Sequence, residues 1–272
     1  WALEPDRKGV HTPEGSYCAR SGTLHPRSTL PVYQRQLFPE RVFGEGADDR
    51  GVTVWENEGV RLWNLPEVDA GIAILSVTSK NHTLGAEVLE GILQSVARAE
   101  RDFDGLVIWH DAPFAVGANL QQVSEACAAG QWDMLEATVE KFQRTSQSFK
   151  YAQIPTVAAV QGMALGGGCE FLMHASHRVL ALESYIGLVE AGVGLIPAGG
   201  GSKEFAGRAA ALAARTATPG EVFPYLQPVF QTIAMAQVAK SAREAVDAGF
   251  AREHDIVLFL SLIHISEPTR RY

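Results

Sequence analysis

Cysteine is scarce: Cys18, Cys127 and Cys169 are the only three in 272 residues. They are far apart and odd in number, which excludes a disulfide framework and a CxxC metal site. The sequence also lacks GxxxxGK[ST], a fitting GxGxxG and any GxSxG, which argues against nucleotide-phosphate loops and a serine nucleophile elbow. No dense Lys/Arg stripe offsets a formal net charge of −8, so a nucleic acid held by phosphate neutralisation is not expected. The longest apolar run, 256–265, is broken by Ser261 and His264 and is far too short to span a bilayer. No basic-then-apolar leader follows Trp1, and the expectation is a fragment or processed product, soluble, in the reducing cytoplasm. His174 and His177, three apart, could share a helical face, but no further ligands are spaced to make a metal site.

What is present begins at about Gly51. Residues 1–50 are rich in Pro, Gly and charge, poor in periodicity, and read as linker with a short docked piece near LPVYQRQLF. From 51 onward the pattern predicts alternating strands and helices. VTVWENEGVRLWNL reads as a strand pair turning at Asn57-Glu58-Gly59. Buried strands are expected at Gly71–Thr78, Asp104–His110, Pro155–Val160 and Arg178–Leu182. Helical spacing is expected over Gly85–Arg101, Leu120–Ala129, Trp132–Phe149, from Gly167 to Ala175, Lys203–Ala214 and Phe230–Ala248. This order predicts an α/β fold with largely parallel strands.

Three small-residue loops follow strands: FAVGANL (114–120), GMALGGGCE (162–170) and GLVEAGVGLIPAGGGS (187–202). Glycine at such places lets backbone N–H groups approach a ligand, and two such groups can form an oxyanion hole. Glu170 lies just after the triple glycine in the first turn of a predicted helix. There it can serve the helix dipole or chemistry, and its position alone leaves both open. Glu190 stands in YIGLVEAGVGLIP among apolar residues with no neighbouring base. Burial there would raise its pKa and suit it to proton transfer.

Taken together, PTVAAVQGMALGGGCEF, SYIGLVEAGVGLIPAGGGS and FAVGANL resemble, in order, the enoyl-CoA hydratase/isomerase superfamily, the crotonases, over about residues 50–258. The resemblance implies a crotonase-like spiral of repeated strand-strand-helix units over 51–259. It also implies that the C-terminal helices are truncated and that 260–272 (LSLIHISEPTRRY) is a non-native tail. It implies oxyanion N–H groups at Ala118 and Gly167, with Gly117 and Gly166 beside them, water activation by Glu170 and proton supply by Glu190. Lys80, Asn81 and His82 are the implied substrate contacts, His82 standing where the family commonly has Asn, and Asn119 where it commonly has Asp. The segment Pro219–Pro228 is extra relative to short members.

The reaction so implied is hydration of trans-2-enoyl-CoA in fatty-acid β-oxidation, since members that only isomerise often keep one of the two acids. A 3-enoyl/2-enoyl-CoA isomerase and a non-catalytic acyl-CoA-binding fragment are the alternatives. The flanks 30–45 and 220–250 resemble the hydratase half of a fused 3-hydroxyacyl-CoA dehydrogenase/enoyl-CoA hydratase. That implies a covalently preceding dehydrogenase, with 1–50 as the linker or the end of that region and NAD belonging to it, no cofactor for the hydratase itself beyond the coenzyme A of its substrate, and a homo-oligomer as a further option.

Overall fold

The computed structural model describes residues 11–12, 15–26, 51–215 and 220–259. The described residues fall into two units, one within 11–26 and one within 51–259. In the first, the stretch without periodicity contains a small antiparallel sheet of β1 (His11–Thr12), β2 (Gly15–Cys18) and β3 (Thr23–His25). The expected docked piece at LPVYQRQLF and the expected tail at 260–272 lie outside the described residues.

The second unit opens with a hairpin of β4 (Val52–Glu56) and β5 (Val60–Leu65), followed by β6 (Asp69–Val77). The turn forms where expected. The Asn57 side-chain oxygen accepts from the N–H groups of Gly59 (2.9 Å) and Val60 (2.8 Å), an Asx turn that reverses the chain. Then come α1 (Ala86–Asp102), β7 (Gly105–Ile108), α2 (Leu120–Ala128), α3 (Trp132–Lys150), β8 (Thr156–Val160) and β9 (Met163–Leu165). After these lie α4 (Gly167–His174), β10 (His177–Ala181), β11 (Tyr185–Gly187) and α5 (Gly201–Ala214). The described chain closes with α6 (Phe223–Ala234), β12 (Val238–Ala239), α7 (Ala242–Asp247) and β13 (Ile256–Leu258).

The large sheet has the order β13-β10-β8-β7-β6-β5-β4 and is parallel from β6 to β13. A small sheet, β12-β11-β9, takes the two short strands that follow β8 and β10, and Ala115, after β7, bridges Ala164 of β9 in the same sense. Each turn of the chain therefore runs through a large-sheet strand, a short pairing and a helix, a repeating spiral. Val88, Leu89, Ile92, Val96 and Ala99 of α1 pack into the core with Leu62, Leu75 and Leu106 of the sheet, as their helical spacing requires.

Several expectations are corrected. Phe230–Ala248 is not one helix. The chain leaves α6 at Ala234, pairs Val238 and Ala239 against Gly187 and Ile186, and restarts at Ala242. Ser241 caps that restart by accepting from Glu244 N–H (3.1 Å), a Ser-x-x-Glu signal legible in the sequence. Strands β9 and β11 sit inside glycine-rich loops and are too short for periodicity to reveal. His174 ends α4 and His177 opens β10, so the two do not share a helical face. In α3 Phe142 and Phe149 are buried but Val139 and Trp132 are exposed, so its apolar stripe engages the core only in the C-terminal half. Among the described residues no helix is long and apolar enough to cross a membrane.

Candidate active site

The three glycine-rich loops converge because β9 lies between them. Ala115 N–H donates to Met163 O (3.0 Å) and Leu165 N–H to Ala115 O (2.9 Å), which fastens the first loop along β9. Gly166 N–H donates to Gly187 O (2.9 Å), which fastens the second loop to the third. Gly117 adopts φ +91°, and a methyl there would stand 3.1 Å from Leu165 O and 3.3 Å from Gly167 N. That position needs glycine both for its backbone conformation and for the close approach. The amides of Ala118 and Gly167 have no acceptor among the described residues. Gly167 is the first residue of α4, where a helix leaves its N–H groups free and its dipole positive.

Glu170 is buried in the first turn of α4. Its Oε1 accepts from Gly201 N–H at 2.9 Å. A methyl on Gly199 would lie 2.3 Å from Oε2, so the third loop passes directly over the carboxylate. Burial is the main force pushing the Glu170 pKa up, to about 7. The negative charge of Glu190 adds to it, and the amides of Gly201, Gly199 and Gly200 oppose it.

Glu190 opens a 3₁₀ turn, Glu190–Val193, that follows β11. Its Oε1 lies where a methyl on Gly166 would come within 3.3 Å, and its Oε2 is buried with no hydrogen-bond partner among the described residues. Burial pushes its pKa up as well. Cys169, wholly buried, is driven well above the ordinary thiol value by burial and then by Glu190 and Glu170, which leaves it a protonated, inert thiol.

Thus Gly117, Ala118, Gly166, Gly167, Glu170 and Glu190 come together. Lys80, Asn81 and His82 form a 3₁₀ turn ahead of Leu84, whose N–H donates to Gly117 O (2.9 Å) and which bridges Ala118. Lys80 and Asn81 are exposed, whereas His82 turns inward and donates from Nδ1 to Pro113 O. Asn119 has a local purpose: its side chain caps α2 by accepting from Gln121 N (3.1 Å) and Gln122 N (3.3 Å).

Sequence reasoning missed two contributors. One is the Gly199–Gly201 segment as the cradle of Glu170; the run of three glycines was visible, but not what it faces. The other is His110, buried beside His82 with ring centroids 4.1 Å apart. A histidine ending the apolar run GLVIWH was the available signal.

Comparison with known proteins agrees with this geometry. The family model described as enoyl-CoA hydratase/isomerase matches residues 67–219. A Bacillus subtilis (strain 168) protein named a probable 3-hydroxyacyl-CoA dehydrogenase is 34% identical over 256 residues, covering 94% of this chain and 31% of the relative. A fatty acid oxidation complex subunit alpha from Colwellia psychrerythraea is 38% identical over 77 residues, 28% of this chain and 10% of the relative. The chain thus spans less than a third of the length of these curated relatives. Among solved structures, an enoyl-CoA hydratase from Polaromonas sp. JS666 superposes with TM-score 0.57 at 20% identity, covering 73% of this chain and 70% of that one. Another from Geobacillus kaustophilus HTA426 gives 0.58 at 16% identity, covering 77% and 71%. These two share the fold, and the family match and the B. subtilis relative carry the kinship: the chain belongs to the enoyl-CoA hydratase/isomerase family.

Proposed function

We propose that this chain adds water across the double bond of a trans-2-enoyl-CoA to give the 3-hydroxyacyl-CoA, as one step of fatty-acid β-oxidation. The observation that carries this is a buried carboxyl and a half-buried one, both with raised pKa values, beside two backbone N–H groups that have no acceptor among the described residues.

The surroundings of the two acids suggest a division of labour. Glu170 accepts an amide hydrogen bond, which favours its ionised form, and a pKa near 7 leaves it able to take a proton from water at neutral pH. Glu190 has a buried oxygen to which none of the described residues donates, which favours the neutral acid able to give a proton to the α-carbon. As the water oxygen bonds the β-carbon, the thioester oxygen gains negative charge, and the N–H groups of Ala118 and Gly167 would receive it. One such donor is worth on the order of 3 kcal/mol in the transition state. Water addition of this kind needs no electron acceptor, so the reaction asks for no cofactor beyond the coenzyme A of its substrate. Lys80, Asn81 and His82, on the turn that braces the Ala118 loop, are the proposed neighbours of the coenzyme A portion.

The relatives' lengths and names support reading 51–259 as the hydratase domain of a longer protein, with 1–50 joining it to a dehydrogenase that would use NAD. Three free thiols suit the cytoplasm. The test is a 2-enoyl-CoA assay in ¹⁸O water. Loss of the conjugated thioester's absorbance with ¹⁸O in the product supports hydration. Turnover of a 3-enoyl-CoA without ¹⁸O uptake would assign isomerisation instead, and tight binding with no turnover a non-catalytic module.

A further inference from the structure

The loop that carries the Ala118 amide is gripped by two imidazoles. His110 follows β7, is buried, and uses both ring nitrogens: Nδ1 accepts from Val77 N–H at 3.4 Å, and Nε2 donates to Phe114 O. These roles fix one neutral tautomer, with the proton on Nε2. Burial keeps that ring neutral, its pKa falling to about 4. His82, from the 3₁₀ turn, donates to Pro113 O, the carbonyl next in line. The two rings touch, and the Phe114 ring stacks on His110 at 5.4 Å. Three residues further on, the loop is tied again by Leu84 N–H to Gly117 O.

We propose that His110 and His82 are positioning residues for the first oxyanion donor: by holding the consecutive carbonyls of Pro113 and Phe114, they set where the Ala118 N–H points relative to that of Gly167. The proposal rests on the reading of Ala118 and Gly167 as the oxyanion pair. The physical case is the distribution of ties. Ala115 is fastened to β9 on one side, and Leu84 fastens Gly117 on the other. The carbonyls of Pro113 and Phe114 lie on the stretch between the end of β7 and the pairing of Ala115 with β9, and His82 and His110 supply their side-chain donors. Without those donors the two carbonyls would seek other partners, and the chain from Pro113 to Ala118 would move with them. A displacement of about 1 Å in an aligned donor can cost about 100-fold in rate.

The test uses the full chain and a chromophoric 2-enoyl-CoA whose absorption moves to the red as its carbonyl oxygen gains charge. The wild-type protein should shift the bound chromophore. In His110→Phe and His82→Phe the red shift should fall by about half or more, with kcat lowered on the order of 10- to 100-fold, and in His110→Phe, which lies away from the proposed coenzyme A contacts, KM should change by less than about threefold. His110→Gln, which keeps a donor near Nε2, should recover most of both. Phe variants that unfold cooperatively as the wild type does, yet keep its red shift and kcat, would overturn the proposal. So would equal losses in His110→Gln and His110→Phe, which would make His110 a packing residue. If His110→Phe does not fold, His82→Phe, at a half-buried ring, decides by the red shift of the bound chromophore and by kcat. A wild-type protein that binds the chromophore without any red shift would instead remove the oxyanion reading, and this proposal with it.

Discussion

Glu170 and Glu190 illustrate how the same side chain is tuned by what surrounds it. Both are driven towards the neutral form by burial, but only Glu170 has a backbone donor from another loop to offset it. The consequence for stability can be worked through. Glu170 has a folded pKa near 7 against an ordinary value of 4.5, so the folded protein holds its proton more tightly than the unfolded chain does. Stability is therefore lost as pH rises from about 4.5 to about 7, by about 3 kcal/mol in all. Glu170→Gln does not titrate and keeps an oxygen for Gly201 N–H. Its Tm relative to the wild type is expected to rise between pH 5 and pH 8, by several degrees at about 2–4 °C per kcal/mol. Melting curves at the two pH values check this, and an unchanged Tm difference would contradict the raised pKa. His110 has the opposite sign. Its folded pKa of about 4 lies below the ordinary 6.5, so its burial destabilises the fold as pH falls through that interval.

At the scale of elements, the site is made by loops that only their pairing partners define. Gly117→Ala places a methyl 3.1 Å from Leu165 O and 3.3 Å from Gly167 N on a backbone with positive φ. We expect kcat lower by on the order of 100-fold, consistent with a displaced oxyanion donor, and a folded protein; stopped assays beside circular dichroism would show it. Wild-type kcat in that variant would mean the first loop does not serve the reaction. Much of the frame was legible in the sequence. The Asn57 turn, the helix over residues 86–102 and the parallel strands announce themselves by turn chemistry and period. The glycine loops were visible as places where backbone could approach a ligand. What was not legible depends on contacts distant in sequence: the fastening of Ala115 to β9, the arrival of Gly201 at Glu170 across 31 positions, and the inward turn of His82. The break after Ala234 is hidden for a different reason, since the apolar positions of α6 and α7 join into one apparent helical pattern, and only the Ser241 cap marks the restart.

For the molecule as a whole, the spiral must be closed where β10 meets β13, the last strand of the large sheet. A buried ion pair closes it. Asp255, ahead of β13, accepts from the Arg178 backbone N–H (3.1 Å) and from Nε (2.6 Å), while Arg178 Nη1 donates to Ala175 O at 3.0 Å after α4. Both side chains are fully covered. Removing one partner leaves the other charge buried, which costs about 3–5 kcal/mol. Asp255→Ala is expected to lower Tm by about 10 °C with the shape of the pH–rate profile unchanged, because Asp255 lies in the sheet closure and not in the site. Calorimetry checks the first part, and a Tm within about 2 °C of wild type would contradict it.

The central claim is that the two glutamates act on one water as a unit. Its most direct test is the single-turnover hydration rate of a 2-enoyl-CoA by wild type, Glu170→Gln, Glu190→Gln and the double variant. Groups that act together are not additive. Each single variant is expected to lose on the order of 1,000-fold, with the double variant little slower than either. A single variant that hydrates at the wild-type rate, or a double variant whose loss is the product of the two single losses, would contradict the account.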